Sequence, residues 1–284
     1  MGDMVVTRFA PSPTGLLHLG HAFAALTAFE AAKSAGGRFL LRIEDIDRTR
    51  CRPEYEAALY DDLSWIGLSW EWPCLRQSQR FNAYRAALAT LEDEGLLYPC
   101  FCTRKEIADE IARAVEAPHG PEGPHYPGTC RALPPTERAE KIASGARYAM
   151  RLDATRAAAR VGSITFEEHG KGSAHGLINV TPNLFGDIVL ARKDSPTAYH
   201  LAVVVDDAFQ GVTLVTRGDD LFAATHVQRL LQVLLGLPEP AYAHHRLILD
   251  EHGRKFSKRD RAMTLRVLRE SGTTAKKIRK QLDF

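Results

Sequence analysis

The first 44 residues of the chain alternate between strand and helix patterns, and this alternation restricts the possible folds. Val5 to Phe9 form an apolar run that ends in a turn-forming segment rich in proline and glycine, Pro11 to Gly15. An alanine-rich stretch with apolar residues at helical spacing follows from His18 to Gly36. Phe39 to Glu44 then alternates as a second strand. Strand, helix and strand in this order begin a βαβ unit, which predicts a parallel sheet.

The same alternation continues along the chain with one interruption. Between about residues 99 and 187 it gives way to a segment rich in proline and glycine, with short strand patterns near Tyr148 and Ile164. The other predicted elements are helices at Pro53 to Trp65, from Phe81 to Gly95 and from Leu221 to Leu235, and strands at Ile188 to Ala191, Val212 to Thr216 and Leu247 to Leu249.

These patterns predict an α/β fold with two domains. We expect residues 1–98 and 188–250 to form a Rossmann-type parallel sheet with helices on both faces. Residues 99–187 are expected to form an inserted α+β domain, and residues 251–284 a loop followed by a helical tail.

The charge balance limits the kinds of partner. The 284 residues include 37 Lys and Arg and 35 Asp and Glu, so binding of nucleic acid would require a local basic patch. The longest uncharged stretch, Phe9 to Phe29, is interrupted by prolines and histidines and predicts neither a membrane span nor a signal peptide. We therefore expect a cytoplasmic protein without membrane contact, whose five cysteines are reduced thiols or metal ligands.

Two short segments far apart in the sequence carry groups suited to binding phosphate. His18 to His21 begins the first helix pattern, where unpaired backbone donors favour phosphate and two imidazoles add further donors. Lys255 to Arg259 contains lysines and a serine that can hold a triphosphate as pyrophosphate leaves. Taken alone, each segment also fits a plainer interpretation, as surface or core histidines and as a solvated basic loop.

Together the two segments resemble the signatures of class I aminoacyl-tRNA synthetases, with His18 to His21 as the "HIGH" element and Lys255 to Arg259 as the "KMSKS" element. The resemblance extends from about Val5 to Arg259. It narrows to the glutamyl branch through the segments Arg8 to Gly15, Leu41 to Asp47, Tyr199 to Asp207 and Arg217 to Asp220. This resemblance implies L-glutamate and ATP as substrates, with magnesium on the phosphates. It implies His18, His21 and Lys258 as catalytic residues, and His18, Gly20, His21, Lys255, Ser257 and Lys258 as ATP-binding residues.

A glutamate site must hold two carboxylates and one ammonium, so it needs planar cationic donors and an acid. Arg8 and Arg217 lie at the carboxyl ends of separate strand patterns, where open α/β sheets bind ligands. The resemblance implies that both arginines bind carboxylate, with Tyr199 and Ser12 as hydrogen-bond partners, and that Glu44 binds the ammonium. A structural ion pair is the alternative for each. The full expected set is Arg8, Phe9, Ala10, Pro11, Ser12, Glu44, Tyr199 and Arg217.

Three cysteines in the interrupted region have a spacing that suits a structural zinc ion: Cys100, Cys102 and Cys130. His125 and Tyr126 compete for the fourth position, and buried free thiols are the plainer interpretation. The resemblance favours Tyr126, because related enzymes place a Cys, Cys, Tyr, Cys site in the inserted domain. Cys51 and Cys74 are expected to be structural.

Only 25 residues follow Arg259, whereas full-length glutamyl-tRNA synthetases continue into helical domains that read the anticodon. So short a remainder predicts no further folded domain. The combination resembles the glutamyl-queuosine tRNA(Asp) synthetase family, truncated paralogues that attach glutamate to the queuosine base in the anticodon loop of tRNA(Asp). It implies tRNA-independent formation of glutamyl-adenylate, followed by transfer to queuosine-containing tRNA(Asp).

In this interpretation the inserted domain holds the anticodon stem-loop, and the basic cluster Lys276 to Lys280 either contacts phosphate or is simply solvated. We expect a monomer. Two alternatives stay open at this point. The first is a minimal glutamyl-tRNA synthetase that charges a tRNA 3′ end. The second is an inactive, zinc-stabilised RNA-binding module that keeps the fold.

Overall fold

The computed structural model describes residues 4–113, 119–249 and 264–284. Its described strands are β1 (Val6–Phe9), β2 (Arg38–Ile43), β3 (Leu75–Arg76), β4 (Leu97–Cys100), β5 (His119–Gly120), β6 (Gly123–Pro124), β7 (Ala149–Leu152), β8 (Thr165–Glu168), β9 (Gly176–Asn179), β10 (Val189–Ala191), β11 (Leu214–Gly218) and β12 (Ala241–His245). Its described helices are α1 (Leu19–Ser34), α2 (Pro53–Trp65), α3 (Phe81–Asp93), α4 (Arg104–Arg113), α5 (Pro135–Ala143), α6 (Ala154–Val161), α7 (Tyr199–Phe209), α8 (Phe222–Leu234), α9 (Leu265–Glu270) and α10 (Ala275–Gln281).

The central sheet is parallel, as the sequence predicts. β1, β2 and β3 pair in parallel, and so do β11, β12 and β8. The two groups meet at β1, because the backbone N–H of Thr213 donates to the carbonyl of Val6 at 3.0 Å. The resulting strand order is β3-β2-β1-β11-β12-β8, with β9 antiparallel to β8 at the edge. β1 and β11 are therefore neighbours, and the carboxyl ends of these two strands lie at the same edge of the sheet.

The main hydrophobic core lies where α1 packs on this sheet. Leu26 of α1 and Leu41 and Ile43 of β2 are buried in it. The C-terminal helices also contribute, because Ile278 and Leu282 are buried in the same core. The basic tail is thus amphipathic: its apolar side stabilises the fold, while Lys276, Lys277 and Lys280 are exposed.

The described strands in and next to the region 99–187 belong to three sheets, one of which is the small antiparallel pair β5 and β6. β4, β7 and β10 form a separate antiparallel sheet. β8, however, joins the central sheet, where Tyr242 of β12 pairs with Glu168. The domain boundaries predicted from the sequence stay predictions.

The last described strand, β12, differs from its predicted position. It covers Ala241–His245 rather than Leu247 to Leu249. Its inward side chains, Tyr242 and His244, are buried and hydrogen-bonded to Gln232 and Glu168 respectively. Polar side chains in a sequence usually indicate a surface segment, so the tyrosine and histidines of this segment did not predict a buried strand. Among the described helices, none combines the length and apolarity that crossing a bilayer requires.

Candidate active site

His18 and His21 cap the N-terminus of α1 in place of the more usual serine and glutamate. Nδ1 of His18 accepts the backbone N–H of Gly20 at 3.1 Å, and Nδ1 of His21 accepts the backbone N–H of His18 at 3.2 Å. The ring centroids are 3.7 Å apart. Because each Nδ1 accepts a hydrogen bond, a neutral imidazole here carries its proton on Nε2. In that tautomer each imidazole has its one N–H donor on Nε2, a group that can hydrogen-bond to an anion, and a helix N-terminus favours negative charge.

The chain returns to this helix N-terminus near its own C-terminus. Thr264 forms an antiparallel bridge with His18, and the N–H of Leu265 donates to the carbonyl of Leu17 at 2.8 Å. Thr264 follows Lys258 by six positions in the sequence. The predicted ATP-binding residues Lys255, Ser257 and Lys258 lie outside the described residues, so their place in the site stays a prediction.

Arg8 and Glu44 are held by a buried ion-pair network at the carboxyl ends of β1 and β2. Arg8 donates from Nε and Nη2 to the two carboxylate oxygens of Asp207, at 3.0 and 3.2 Å. Arg42 donates to Asp207 at 2.6 Å and to Glu44 at 3.2 Å. Burial alone would raise the pKa of Asp207, but Arg8 and Arg42 hold that pKa below its usual value. Asp207 thus stays ionised and fixes both arginines.

Glu44 is buried near this network, with a side chain that is only 8% exposed. Burial raises its pKa, and Arg42 and Arg8 oppose that effect only in part. A further cation close to the carboxylate would lower this pKa and stabilise the charged form. Glu44 is therefore suited to bind an ammonium group.

Arg217 lies in β11, two strands from β2 across the sheet. Its Nε donates to His244 at 3.0 Å, Nη1 to Gln228 at 2.6 Å and Nη2 to Thr225 at 2.5 Å. These contacts use three of the five guanidinium N–H groups. One N–H remains on each terminal nitrogen, and such a pair matches the two oxygens of a carboxylate.

Tyr199 is the first residue of α7, and its hydroxyl is affected by charges from both β11 and the Arg8–Glu44 network. Burial raises the pKa of its hydroxyl, on which Arg217, Glu44 and Arg8 all act through their charges. The three charged groups therefore lie close enough to the Tyr199 hydroxyl to affect its pKa. The segment Phe9, Ala10, Pro11 and Ser12 continues β1 toward Glu44, and the carbonyl of Pro11 accepts the N–H of Glu44 at 3.1 Å.

The arrangement combines two arginines, one carboxylate and a phenol with a helix N-terminus at the same edge of the sheet. The Nε2 atom of Gln228, whose carbonyl oxygen accepts from Arg217, is buried and has no hydrogen-bond partner among the described residues. Buried polar atoms are normally satisfied, so this atom fits a site that receives a polar ligand. The chemistry suits a zwitterionic molecule with carboxylate and ammonium groups.

Several residues that organise the site are not predicted from the sequence: Arg42, Asp207, Glu168, His244, Thr225 and Gln228. Arg42 and Asp207 did carry a signal, since each is a charged residue within or directly after an apolar run. A charge in a buried pattern requires a partner, and the two could have been paired on that ground.

Three thiols and a phenol meet at one end of the separate antiparallel sheet. The Sγ atoms of Cys100, Cys102 and Cys130 lie within 4.8 Å of one another. Sγ of Cys102 is 3.4 Å from both Sγ of Cys130 and the hydroxyl oxygen of Tyr126. Four such donors around a zinc ion at about 2.3 Å would have comparable separations.

Two residues near the cysteine cluster, His125 and Tyr126, are candidates for the fourth zinc ligand, and their contacts differ. Nε2 of His125 lies 3.0 Å from the carbonyl oxygen of Leu184, so it hydrogen-bonds there instead of joining the thiols. Burial raises the pKa of Cys102 to about 11, which a bound cation would reverse. The donor set therefore fits a zinc ion with Tyr126 in the fourth position. Cys51 and Cys74 are half-buried and, among the described residues, do not belong to this cluster.

The chain is similar to known proteins in both sequence and fold. Residues 4–282 match the model of the family "tRNA synthetases class I (E and Q), catalytic domain". A glutamyl-Q tRNA(Asp) synthetase of Rhodobacter capsulatus is 50% identical, and the match covers 97% of this chain and 99% of that protein. A glutamate–tRNA ligase of Aquifex aeolicus is 42% identical over 94% of this chain but only 54% of its own length.

Among solved structures, a glutamate tRNA ligase from Elizabethkingia meningosepticum in complex with its amino acid matches with a TM-score of 0.73 and 30% identity. The match covers 91% of this chain, and the chain spans about half of that protein, 52% of its length. The fold, the family model and the curated relatives lead to one assignment. The chain belongs to the class I tRNA synthetase family for glutamate and glutamine, and within it to the glutamyl-Q tRNA(Asp) synthetase branch, a group of ATP-dependent ligases.

Proposed function

We propose that this protein activates L-glutamate with ATP in the absence of tRNA and then transfers the glutamate to the queuosine base of tRNA(Asp). The observation that supports the proposal is that Arg8, Glu44 and Arg217 are all buried, with Arg8 and Glu44 joined in one ion-pair network through Asp207 and Arg42. The charges of all three also act on the pKa of Tyr199. This set provides cationic donors for two carboxylates and an acid for one ammonium, which is the charge pattern of glutamate. The near full-length match to the Rhodobacter capsulatus protein supports queuosine as the acceptor.

In the first step, a carboxylate oxygen of glutamate attacks the α-phosphorus of ATP. An oxygen–phosphorus bond forms to give glutamyl-adenylate, and pyrophosphate leaves. His18 and His21 donate from Nε2 to phosphate oxygens as charge develops there, and Gly20 lies in the same helix turn. Lys255, Ser257 and Lys258 supply further donors and positive charge, with magnesium bound to the phosphates.

In the second step, a hydroxyl of the queuosine cyclopentene ring attacks the acyl carbon of the adenylate, and AMP leaves. The enzyme acts mainly by positioning the two substrates, and no covalent enzyme intermediate forms. Cys100, Cys102, Tyr126 and Cys130 would hold one zinc ion, which stabilises the loops of this region when bound. This region is proposed to contact the anticodon stem-loop.

The acceptor is tested by incubating the protein with ATP, labelled glutamate and tRNA(Asp), with and without queuosine, and mapping the labelled nucleotide. The proposal expects label on the queuosine nucleotide and none on tRNA that lacks queuosine. Label on the 3′ adenosine would instead identify a minimal glutamyl-tRNA synthetase. Absence of both products, together with retained tRNA binding, would identify an inactive RNA-binding module.

A further inference from the structure

Arg217 is connected to Glu168, which is distant in the sequence, by buried hydrogen bonds through His244. The carboxylate of Glu168, at the end of β8, lies 2.5 Å from Nδ1 of His244. On the other side of the same imidazole, Nε2 lies 3.0 Å from Nε of Arg217. Glu168 and His244 are both fully buried. The three side chains therefore form a continuous line that ends at the guanidinium of the glutamate site.

The direction of these hydrogen bonds fixes where the imidazole carries its proton. Arginine can only donate, so Nε2 of His244 must accept and cannot carry a proton. The single proton of the neutral ring then lies on Nδ1 and is donated to Glu168. Burial lowers the pKa of His244, which keeps the ring neutral. Glu168 thus selects the one tautomer that can hold Arg217.

Glu168 is itself held in a close-fitting backbone pocket. Its Oε1 accepts the backbone N–H groups of His244 at 2.8 Å and Gly170 at 2.7 Å. A Cβ atom at Gly170 would lie 2.1 Å from the carbonyl oxygen of His244, so only glycine permits this approach. Burial alone would raise the pKa of Glu168, but the hydrogen bonds from His244 and Gly170 hold it below its usual value.

We infer that Glu168 is a positioning residue for the amino-acid site: acting through the imidazole of His244, it orients Arg217 so that two of its N–H groups face a substrate carboxylate. This inference rests on the proposed function, because it takes Arg217 as a ligand of glutamate. Thr225 and Gln228, both from α8, hold the other side of the guanidinium. Glu168 adds the contact from β8, in the region between 99 and 187, so that region contributes to the amino-acid site.

The decisive variant is Glu168→Gln. If the amide oxygen keeps the two backbone contacts, the amide N–H₂ group faces Nδ1 and favours the Nε2–H tautomer, which opposes the Nε–H of Arg217. In glutamate-dependent exchange of pyrophosphate into ATP, we expect the KM for glutamate to rise about tenfold to a hundredfold. The KM for ATP should change less than about twofold, because the ATP-binding residues are not part of this line. Glu167→Gln, at the exposed neighbouring position, is the matched control and should leave both constants unchanged.

A second substitution separates positioning from a structural role. His244→Phe keeps a ring against Phe222 and Tyr242 but removes both nitrogens. It should raise the KM for glutamate as Glu168→Gln does. In the His244→Phe background, adding Glu168→Gln should change the KM less than about twofold, because the two act through one contact. Independent, multiplying effects would overturn the inference, and so would an unchanged KM in Glu168→Gln.

The tautomer can also be measured in the wild-type protein, and a variant is then needed only to assign the signals. Nitrogen NMR of ¹⁵N-histidine-labelled protein should show His244 as the Nδ1–H tautomer, and His244→Phe identifies its signals. An Nε2–H tautomer would contradict the inference. The two failures are distinguishable: wild-type protein without glutamate-dependent exchange contradicts the proposed function, whereas normal exchange with an insensitive Glu168→Gln contradicts only this inference.

Discussion

The carboxylate of Asp207 binds the guanidinium of Arg8 through both of its oxygens, at 3.0 and 3.2 Å. The same carboxylate accepts from Arg42, which in turn holds Glu44. One buried acid therefore determines the positions of the cationic and the acidic side of the proposed glutamate site. Removing its charge would leave two buried arginines without their shared partner.

We expect Asp207→Asn to lower the free energy of unfolding by about 3 kcal/mol, the scale for removing one partner of a buried ion pair. It should also abolish measurable glutamate-dependent pyrophosphate exchange, because Arg8 and Glu44 lose their fixed positions. Asp206→Asn is the matched control: Asp206 is equally buried but binds Arg80 and Tyr84. Urea unfolding should show a similar loss of stability for both variants. If Asp206→Asn also raised the KM for glutamate tenfold, the site-specific role of Asp207 would be refuted.

The histidine cap of α1 allows helix stabilisation to be separated from catalysis. Asparagine is a good N-cap residue, so His18→Asn should change the thermal stability little, whereas His18→Ala should cost about 1 kcal/mol. Both variants lack Nε2–H, and both should lose roughly a hundredfold or more in exchange rate, as expected for loss of a transition-state donor. Paired melting and exchange measurements check this. Near wild-type exchange in His18→Asn would show that the imidazole serves only as a cap.

The strands of the central sheet and the helices packed on it were largely predictable from local sequence patterns. α2 occupies Pro53–Trp65 as predicted, because its proline start and apolar spacing lie within one segment. The parallel order of β1 and β2 likewise followed from the strand, helix and strand pattern. The position of β12 was wrong, because its buried histidine has the composition of a surface segment.

The proposed glutamate ligands followed from the family resemblance, whereas the residues that hold them did not. Arg217 binds His244 across 27 positions of sequence, and His244 binds Glu168 across 76. A single sequence carries no signal for such pairings, since any buried histidine has many possible partners. The pairing of Asp207 with Arg42 was easier to predict, because a charged residue in an apolar run requires a residue of opposite charge nearby.

The cysteine cluster predicts a metal requirement. Purified protein should contain about one zinc ion per chain, and Cys102→Ser should lose most of it together with thermal stability. Tyr126→Phe and His125→Ala form a matched pair that tests the fourth ligand. We expect at least about tenfold weaker zinc affinity in Tyr126→Phe and wild-type affinity in His125→Ala, measured by competition with a chelator. The reverse order would assign the fourth position to His125.

Asp62 in α2 gives a prediction for the pH dependence of stability. Both of its carboxylate oxygens are buried and have no hydrogen bond to any described residue, and burial raises the pKa of this group to about 6, with Arg269 opposing the shift. The folded protein therefore binds this proton more tightly than the unfolded chain does, so the contribution of Asp62 to stability falls as pH rises from about 4 to 6.

Asp62→Asn should remove that component. Relative to wild type, the variant should gain roughly 1 kcal/mol in the free energy of unfolding between pH 4 and pH 7, after allowance for solvent screening. Urea unfolding of both proteins across this range provides the measurement. Parallel pH curves for the two proteins would mean that the Asp62 carboxyl titrates normally in the folded state.

The central claim is that Arg8, Glu44, Tyr199 and Arg217 form a site for glutamate whose occupant is adenylated. Its most direct test is exchange of labelled pyrophosphate into ATP, in the absence of tRNA, with glutamate, glutamine and aspartate compared at equal concentration. We predict exchange with glutamate that exceeds exchange with either analogue by at least about a hundredfold, because glutamine lacks the second charge and aspartate is one methylene too short to reach both arginines. Equal exchange with glutamine, or no exchange with glutamate, would contradict the account.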